Sequence, residues 1–139
     1  MHTPDLLVEE GYTYTLNWCH DDAVTVLRTR AGPLLAVPYP QDGLNDIPSV
    51  IARKEAPSVF GDAIRDAFEE LFRASVRPDS PPLVMGVTLH PYIAAQPHRI
   101  GHVRRALAAI AASAQLNDVW LCTPGQAASE AAKVLLPPP

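Results

Sequence analysis

The chain has 139 residues, 47% of them hydrophobic and 19% charged, with a net charge of −4 and an isoelectric point near 5.6. That is one globular domain with enough apolar surface for a core, and it has no Lys/Arg cluster of the kind that grips a nucleic-acid backbone. No apolar run approaches the ~20 residues that span a bilayer, and the opening Met1-His2-Thr3-Pro4-Asp5 lacks the basic and apolar regions of a signal peptide, so a cytoplasmic protein without nucleic-acid or membrane partners is expected.

In chain order, Thr3-Pro4-Asp5 supplies a helix N-cap, a proline at the first helical position and an acid in the first turn; Leu6, Leu7 and Val8 follow, and Gly11 stops the helix. Tyr12 to Leu16 alternates aromatic and β-branched side chains and predicts a strand, followed by a polar loop from Asn17 to Asp22. Leu34 to Val37 predicts a second strand, ended by Pro38-Tyr39-Pro40, with another polar loop from Gln41 to Asp46. The clearest helix runs from about Ser58 to Val76, with Phe60, Ile64, Ala67, Phe68, Leu71 and Phe72 on one face and Arg65, Asp66, Glu69, Glu70 and Arg73 on the other.

Leu83 to Leu89 predicts a third strand that Pro91 forbids from continuing. Ile100, Val103, Leu107, Ile110 and Ala111 then mark an amphipathic helix with Arg104 and Arg105 outside. Val119-Trp120-Leu121 predicts a short last strand, and Thr123-Pro124 opens an alanine-rich helix reaching about Val134. Residues 1–136 form a single domain in this reading, and 137–139 a disordered proline tail. Strands alternating with helices imply an α/β fold with a mostly parallel sheet, either a small doubly wound sheet or part of a barrel.

His90 is the foremost chemical candidate. It stands at the carboxyl end of a predicted strand, before a loop that Pro91 enforces, and ligands gather at that edge of parallel α/β sheets. A hydrogen-bonded core histidine is the competing reading. Asp21 and Asp22 follow a strand, but aspartates also shape turns. Trp18 beside them suits stacking on a sugar or ureide, or core packing. His98 and His102, four apart on one helix face, have the spacing of a metal-chelating pair, with His90 or His20 as a third ligand; against this, both can lie on the solvent side of the helix. Cys19 and Cys122 are too few for a disulfide scaffold or a zinc ribbon and read as buried thiols in a reducing compartment.

Taken in order, LLVEEGYTY (6–14), DD (21–22), VPYPQDGLND (37–46), VTLHPYIAAQPHR (87–99) and DVWLCTP (118–124) resemble the C-terminal half of the polysaccharide deacetylase family, in the subgroup that holds cofactor-independent allantoinases and bacterial cell-wall deacetylases. The resemblance implies the C-terminal half of a deformed (β/α)7 barrel and a metal-dependent hydrolase of non-peptide C–N (amide) bonds. The family's chemistry uses a divalent, zinc-like ion to acidify water, a carboxylate as base and an imidazole that protonates the leaving amine. By the same resemblance His90 is the general acid, Asp21 and Asp22 are catalytic acids that orient their neighbours, and Tyr39, Asn45, Asp46 and Arg99 line the substrate cleft, with Trp18 beside them. The family's Thr-Phe-Asp-Asp and early His-x-x-x-His do not occur in this sequence, so its usual metal ligands are absent from this chain.

Three readings follow. The chain is a truncated deacetylase-like hydrolase, inactive unless the other half is supplied. Alternatively it is a non-catalytic half barrel that forms a homodimer, or binds a complementing chain or a small molecule, to cover its open edge. The third reading is an unrelated metalloprotein built on His98 and His102.

Overall fold

The computed structural model describes residues 2–40, 42–116 and 119–137. They divide into two compact units, Met1–Tyr39 with Pro81–Val84 and Cys122–Pro139, and Pro40–Ser80 with Met85–Leu121.

The first unit is built on a three-stranded sheet. Helix α1 (Thr3–Glu9) begins one residue earlier than an N-cap at Thr3 allows, with His2 as the capping position and no side-chain cap bond. It ends as expected at Gly11, whose φ of +84° suits a residue without a Cβ. The Gly11 N–H donates to Val8 O and the Tyr12 N–H to Leu7 O, the paired bonds that close a Schellman turn. Strand β1 (Tyr14–Thr15) pairs in parallel with β3 (Gly32–Ala36), and β2 (Thr25–Thr29) pairs with β3 on its other side in antiparallel register. Leu34, Leu35 and Ala36 are all buried, as a central strand covered on both faces requires. Leu35, Val37 and Ala128 form the core with Tyr14, Val26, Val84 and Ala132 packed around them. Helix α5 (Pro124–Leu135) brings Ala128 there, and it starts with a complete capping box between Thr123 and Gln126.

The second unit is helical. Asn45 and Thr88 form an isolated parallel bridge, and the chain then enters a π-helix at Ile47–Ala52. Its carboxyl end is fixed by Ser49, whose hydroxyl donates to the Glu55 carboxylate, and by Arg53, which reaches both Glu55 and Asp42. Helix α2 (Pro57–Ser75) follows, then the short α3 (Pro91–Ala94) and the long α4 (Pro97–Gln115). Phe60, Ile64, Ala94, Val103 and Ala106 form this core, with Leu44, Met85, Val87 and Ile110 against it. Where α2 crosses α4, Gly61 lies so close that a Cβ there would stand 2.9 Å from the carbonyl carbon, Cβ and oxygen of His102. Phe68 and Phe72 of α2 stack at 5.9 Å.

Several expectations are corrected. The sheet is mixed rather than mostly parallel, because β2 returns along β3 as a hairpin. The predicted third strand, 83–89, pairs only through two isolated bridges, Leu83 with Ala23 in the first unit and Thr88 with Asn45 in the second. The segment changes partners midway, so no continuous ladder forms. Val119 to Leu121 is not a strand: no described strand pairs with it, and Trp120 and Leu121 are 57% and 61% exposed. Cys19 and Cys122 are exposed, not buried. Pro138 and Pro139 of the predicted tail lie outside the described residues. No helix among the described residues is long and apolar enough to cross a membrane.

Candidate functional site

Pro91 determines how His90 is presented. A residue before proline is pushed out of the helical region, and His90 has φ −106° and ψ 116°. It therefore sits at the N-cap of α3, where its carbonyl accepts the Ile93 N–H at 2.8 Å and the Ala94 N–H at 2.9 Å. Its own N–H and its ring go to one side chain. The backbone N–H donates to Asp46 Oδ2 at 2.7 Å, and Nδ1 lies 2.6 Å from Asp46 Oδ1. A carboxylate only accepts, so the proton of that second bond is on Nδ1. Asp46 is completely buried, while the His90 side chain keeps 31% exposure.

Asp46 reaches His90 because their segments are hydrogen-bonded. The Thr88 N–H donates to Leu44 O at 2.9 Å, and the Asp46 N–H donates to Thr88 O at 3.3 Å. The carboxylate thus fixes the backbone and the ring of one histidine together. With Nδ1 occupied, Nε2 is the nitrogen left for chemistry, and no described residue hydrogen-bonds to it. The arrangement holds one tautomer and leaves Nε2, directed away from Asp46, as the nitrogen that can exchange a proton with a substrate. Tyr92 stands edge-on beside the imidazole at 5.9 Å between ring centres and is itself 68% exposed.

The other candidates are placed as follows. Asn45 is buried, its Oδ1 accepting the Ile47 N–H. Arg99 is half-buried and donates to the Ile93 carbonyl at 3.3 Å, closing the turn between α3 and α4. Trp18, Asp21 and Asp22 belong to the first unit and are exposed; Asp21 accepts the Asp22 N–H at 2.8 Å, a local turn contact. Tyr39 is half-buried at the end of a first-unit segment. His98 is exposed on α4, and His102 Nδ1 lies 2.9 Å from the Arg105 guanidinium, which as a donor occupies that lone pair. No group of three or more His, Cys, Asp or Glu side chains among the described residues is arranged to hold a metal ion. Neither the His98/His102 pair nor the residues around His90 therefore fit a divalent ion.

The direct bond between Asp46 and His90 is the feature that reading the sequence missed. The residues lie 44 apart, and no local pattern links them.

No known family profile matches the chain, and no curated protein matches it. Solved structures do. A probable polysaccharide deacetylase from Pseudomonas aeruginosa PAO1 superposes with a TM-score of 0.79 at 22% identity, over 96% of this chain and 43% of its own. The Puue allantoinase superposes with a TM-score of 0.81 at 21% identity, again over 96% of this chain and 43% of its own. The chain thus shares a mixed α/β fold with less than half the length of each of these proteins.

Proposed function

We propose that this chain is part of a hydrolase of non-peptide C–N (amide) bonds of the polysaccharide deacetylase kind, with His90 as the general acid and Asp46 as the residue that orients it. The observation carrying the reading is the two-point grip of a fully buried carboxylate on the backbone and Nδ1 of a partly exposed histidine. The fold shared with a deacetylase and an allantoinase supports the same bond class.

In the hydrolysis, water oxygen bonds to the carbonyl carbon and gives up a proton to a base on the complementing chain or segment, the C–N bond breaks, and the departing nitrogen takes the Nε2 proton. His90 is left as neutral imidazole with its Nδ1–H still donating to Asp46. A divalent ion of the kind the resemblance implies has no matching donors among the described residues. Attack by water is then supplied by a complementing chain or segment. Leu116, Trp120 and Leu121 of the second unit, 72%, 57% and 61% exposed, favour such a covering partner.

The test is turnover of acetylated amino sugars and ureides by the protein purified with whatever chain co-elutes. His90→Ala should lower the rate about 10²–10⁴-fold for amides with poor leaving nitrogens, and much less for an activated anilide that departs without a proton. Equal losses on both substrates, or turnover unaffected by His90→Ala, would remove the general-acid role.

A further inference from the structure

We infer that Asn45 is a positioning residue for the His90–Asp46 pair rather than a ligand for substrate; the inference rests on the general-acid reading above. Its amide is closed to a ligand. The residue is 9% exposed, Oδ1 accepts the Ile47 backbone N–H at 3.0 Å, and Nδ2 donates to the Pro40 carbonyl at 3.4 Å. The bond to Ile47 is an Asx turn, and the residue it spans is Asp46. Asp46 has φ −72° and ψ −19°, the point where extended chain becomes the π-helix.

The same residue sets the register on its other side. Its backbone forms the parallel bridge to Thr88, two positions before His90, and its N–H donates to Asp42 O at 2.8 Å. Asn45 therefore aligns the two segments, and its turn aims the next side chain at His90. Gripping a backbone N–H and a ring nitrogen with one carboxylate demands a fixed Cα–Cβ direction, which the turn supplies. Asparagine offers an acceptor for Ile47 and a donor for Pro40. Serine keeps an acceptor for Ile47, and alanine keeps neither.

The experiment uses the full chain with 15N-labelled histidine. Long-range 15N–1H spectra report which ring nitrogen of His90 carries the proton, the resonance being assigned by its loss in His90→Gln. Nδ1–H is expected in the wild type. Asn45→Ala should lower the ratio of Nδ1–H to Nε2–H about fivefold, as the loss of one hydrogen bond of ordinary strength allows. Asn45→Ser, whose hydroxyl oxygen can accept the Ile47 N–H without adding a charge, should restore most of it. A merely structural role would shift the melting temperature and leave the ratio alone. An unchanged ratio in Asn45→Ala, or a loss that Asn45→Ser does not rescue, overturns the inference while the general-acid reading stands. A wild-type mixture of tautomers overturns both. Should Asn45→Ala fail to fold, hydrogen exchange at the wild-type Ile47 amide decides: protection supports the turn, and exchange at the free-peptide rate overturns it.

Discussion

Replacing Asp46 by asparagine separates orientation from packing, because the two side chains have nearly the same shape. In the wild type His90 presents two donors, its backbone N–H and Nδ1–H, to two carboxylate oxygens at 2.7 and 2.6 Å. Asparagine keeps one acceptor and turns the other position into a donor. The backbone N–H has no alternative form, whereas the ring does. The carbamoyl oxygen therefore takes the backbone N–H, its NH2 faces Nδ1, and the imidazole moves its proton to Nε2. With the imidazole neutral, two charge-assisted hydrogen bonds become two neutral ones, a loss partly offset by removing a buried charge, at a net cost of about 1–2 kcal/mol. At roughly 3–5 °C per kcal/mol for a chain of this length, the melting temperature falls about 3–10 °C. The variant has no acceptor left for Nδ1–H, so the ring is no longer held to deliver a proton from Nε2, and turnover should fall about 10²–10⁴-fold, the cost of a lost general acid. Circular-dichroism melts, the 15N tautomer of His90 and turnover on an unactivated amide read the three effects. An Asp46→Asn protein that keeps the Nδ1–H tautomer, or that turns over like the wild type, would refute the reasoning.

The crossing of α2 and α4 predicts opposite signs for one substitution at two helical glycines. Gly61→Ala gains about 1 kcal/mol of helix propensity but drives a Cβ to 2.9 Å from His102 backbone atoms, an overpacking cost of about 1–3 kcal/mol, so it destabilises on balance; Gly101→Ala meets only the tip of Arg105 at 3.6 Å and stabilises by up to about 1 kcal/mol. Urea unfolding of both variants checks this, and a shared sign would mean the helices do not meet as described. The Arg53 guanidinium and the Ser49 hydroxyl hold Glu55 below the usual carboxylate range. Its folded value lies under its unfolded one, so its contribution is complete above the unfolded value of about 4.5 and disappears as pH falls through the folded value. Between pH 7 and pH 3 the wild type should therefore lose stability more steeply than Glu55→Gln, the two converging at the acid end; parallel curves would show that Glu55 does not clamp the π-helix.

What the sequence disclosed and what it withheld divide along the range of the interactions. Gly11 as a stop, Thr123-Pro124 as a helix start and the long apolar stripe of α2 are local signals, written within one or two turns of chain, and the structure keeps all of them, adding Gln126 as the second half of the Thr123 cap. His90 before Pro91 is local too: the proline forces the backbone that presents the ring. Strand β2 was not expected, although Thr-Val-Leu-Arg-Thr is rich in strand formers; the two-residue link Arg30-Ala31 carries no glycine or asparagine to announce a hairpin, and Gly32, at φ +136°, is already the first residue of β3. Strand propensity misled at 83–89 and 119–121 because a strand exists only where a neighbour completes its ladder, and that neighbour is never encoded in the segment itself. The pairing of Asp46 with His90 belongs to the same class. Resemblance grouped Asp46 with the side chains that line the substrate cleft, but its burial and both its bonds commit it to the histidine. The general lesson is chemical: an acid that follows a strand-like run is equally plausible as a ligand, a base or an orienting group. Only the atom it touches decides, and here that atom is Nδ1.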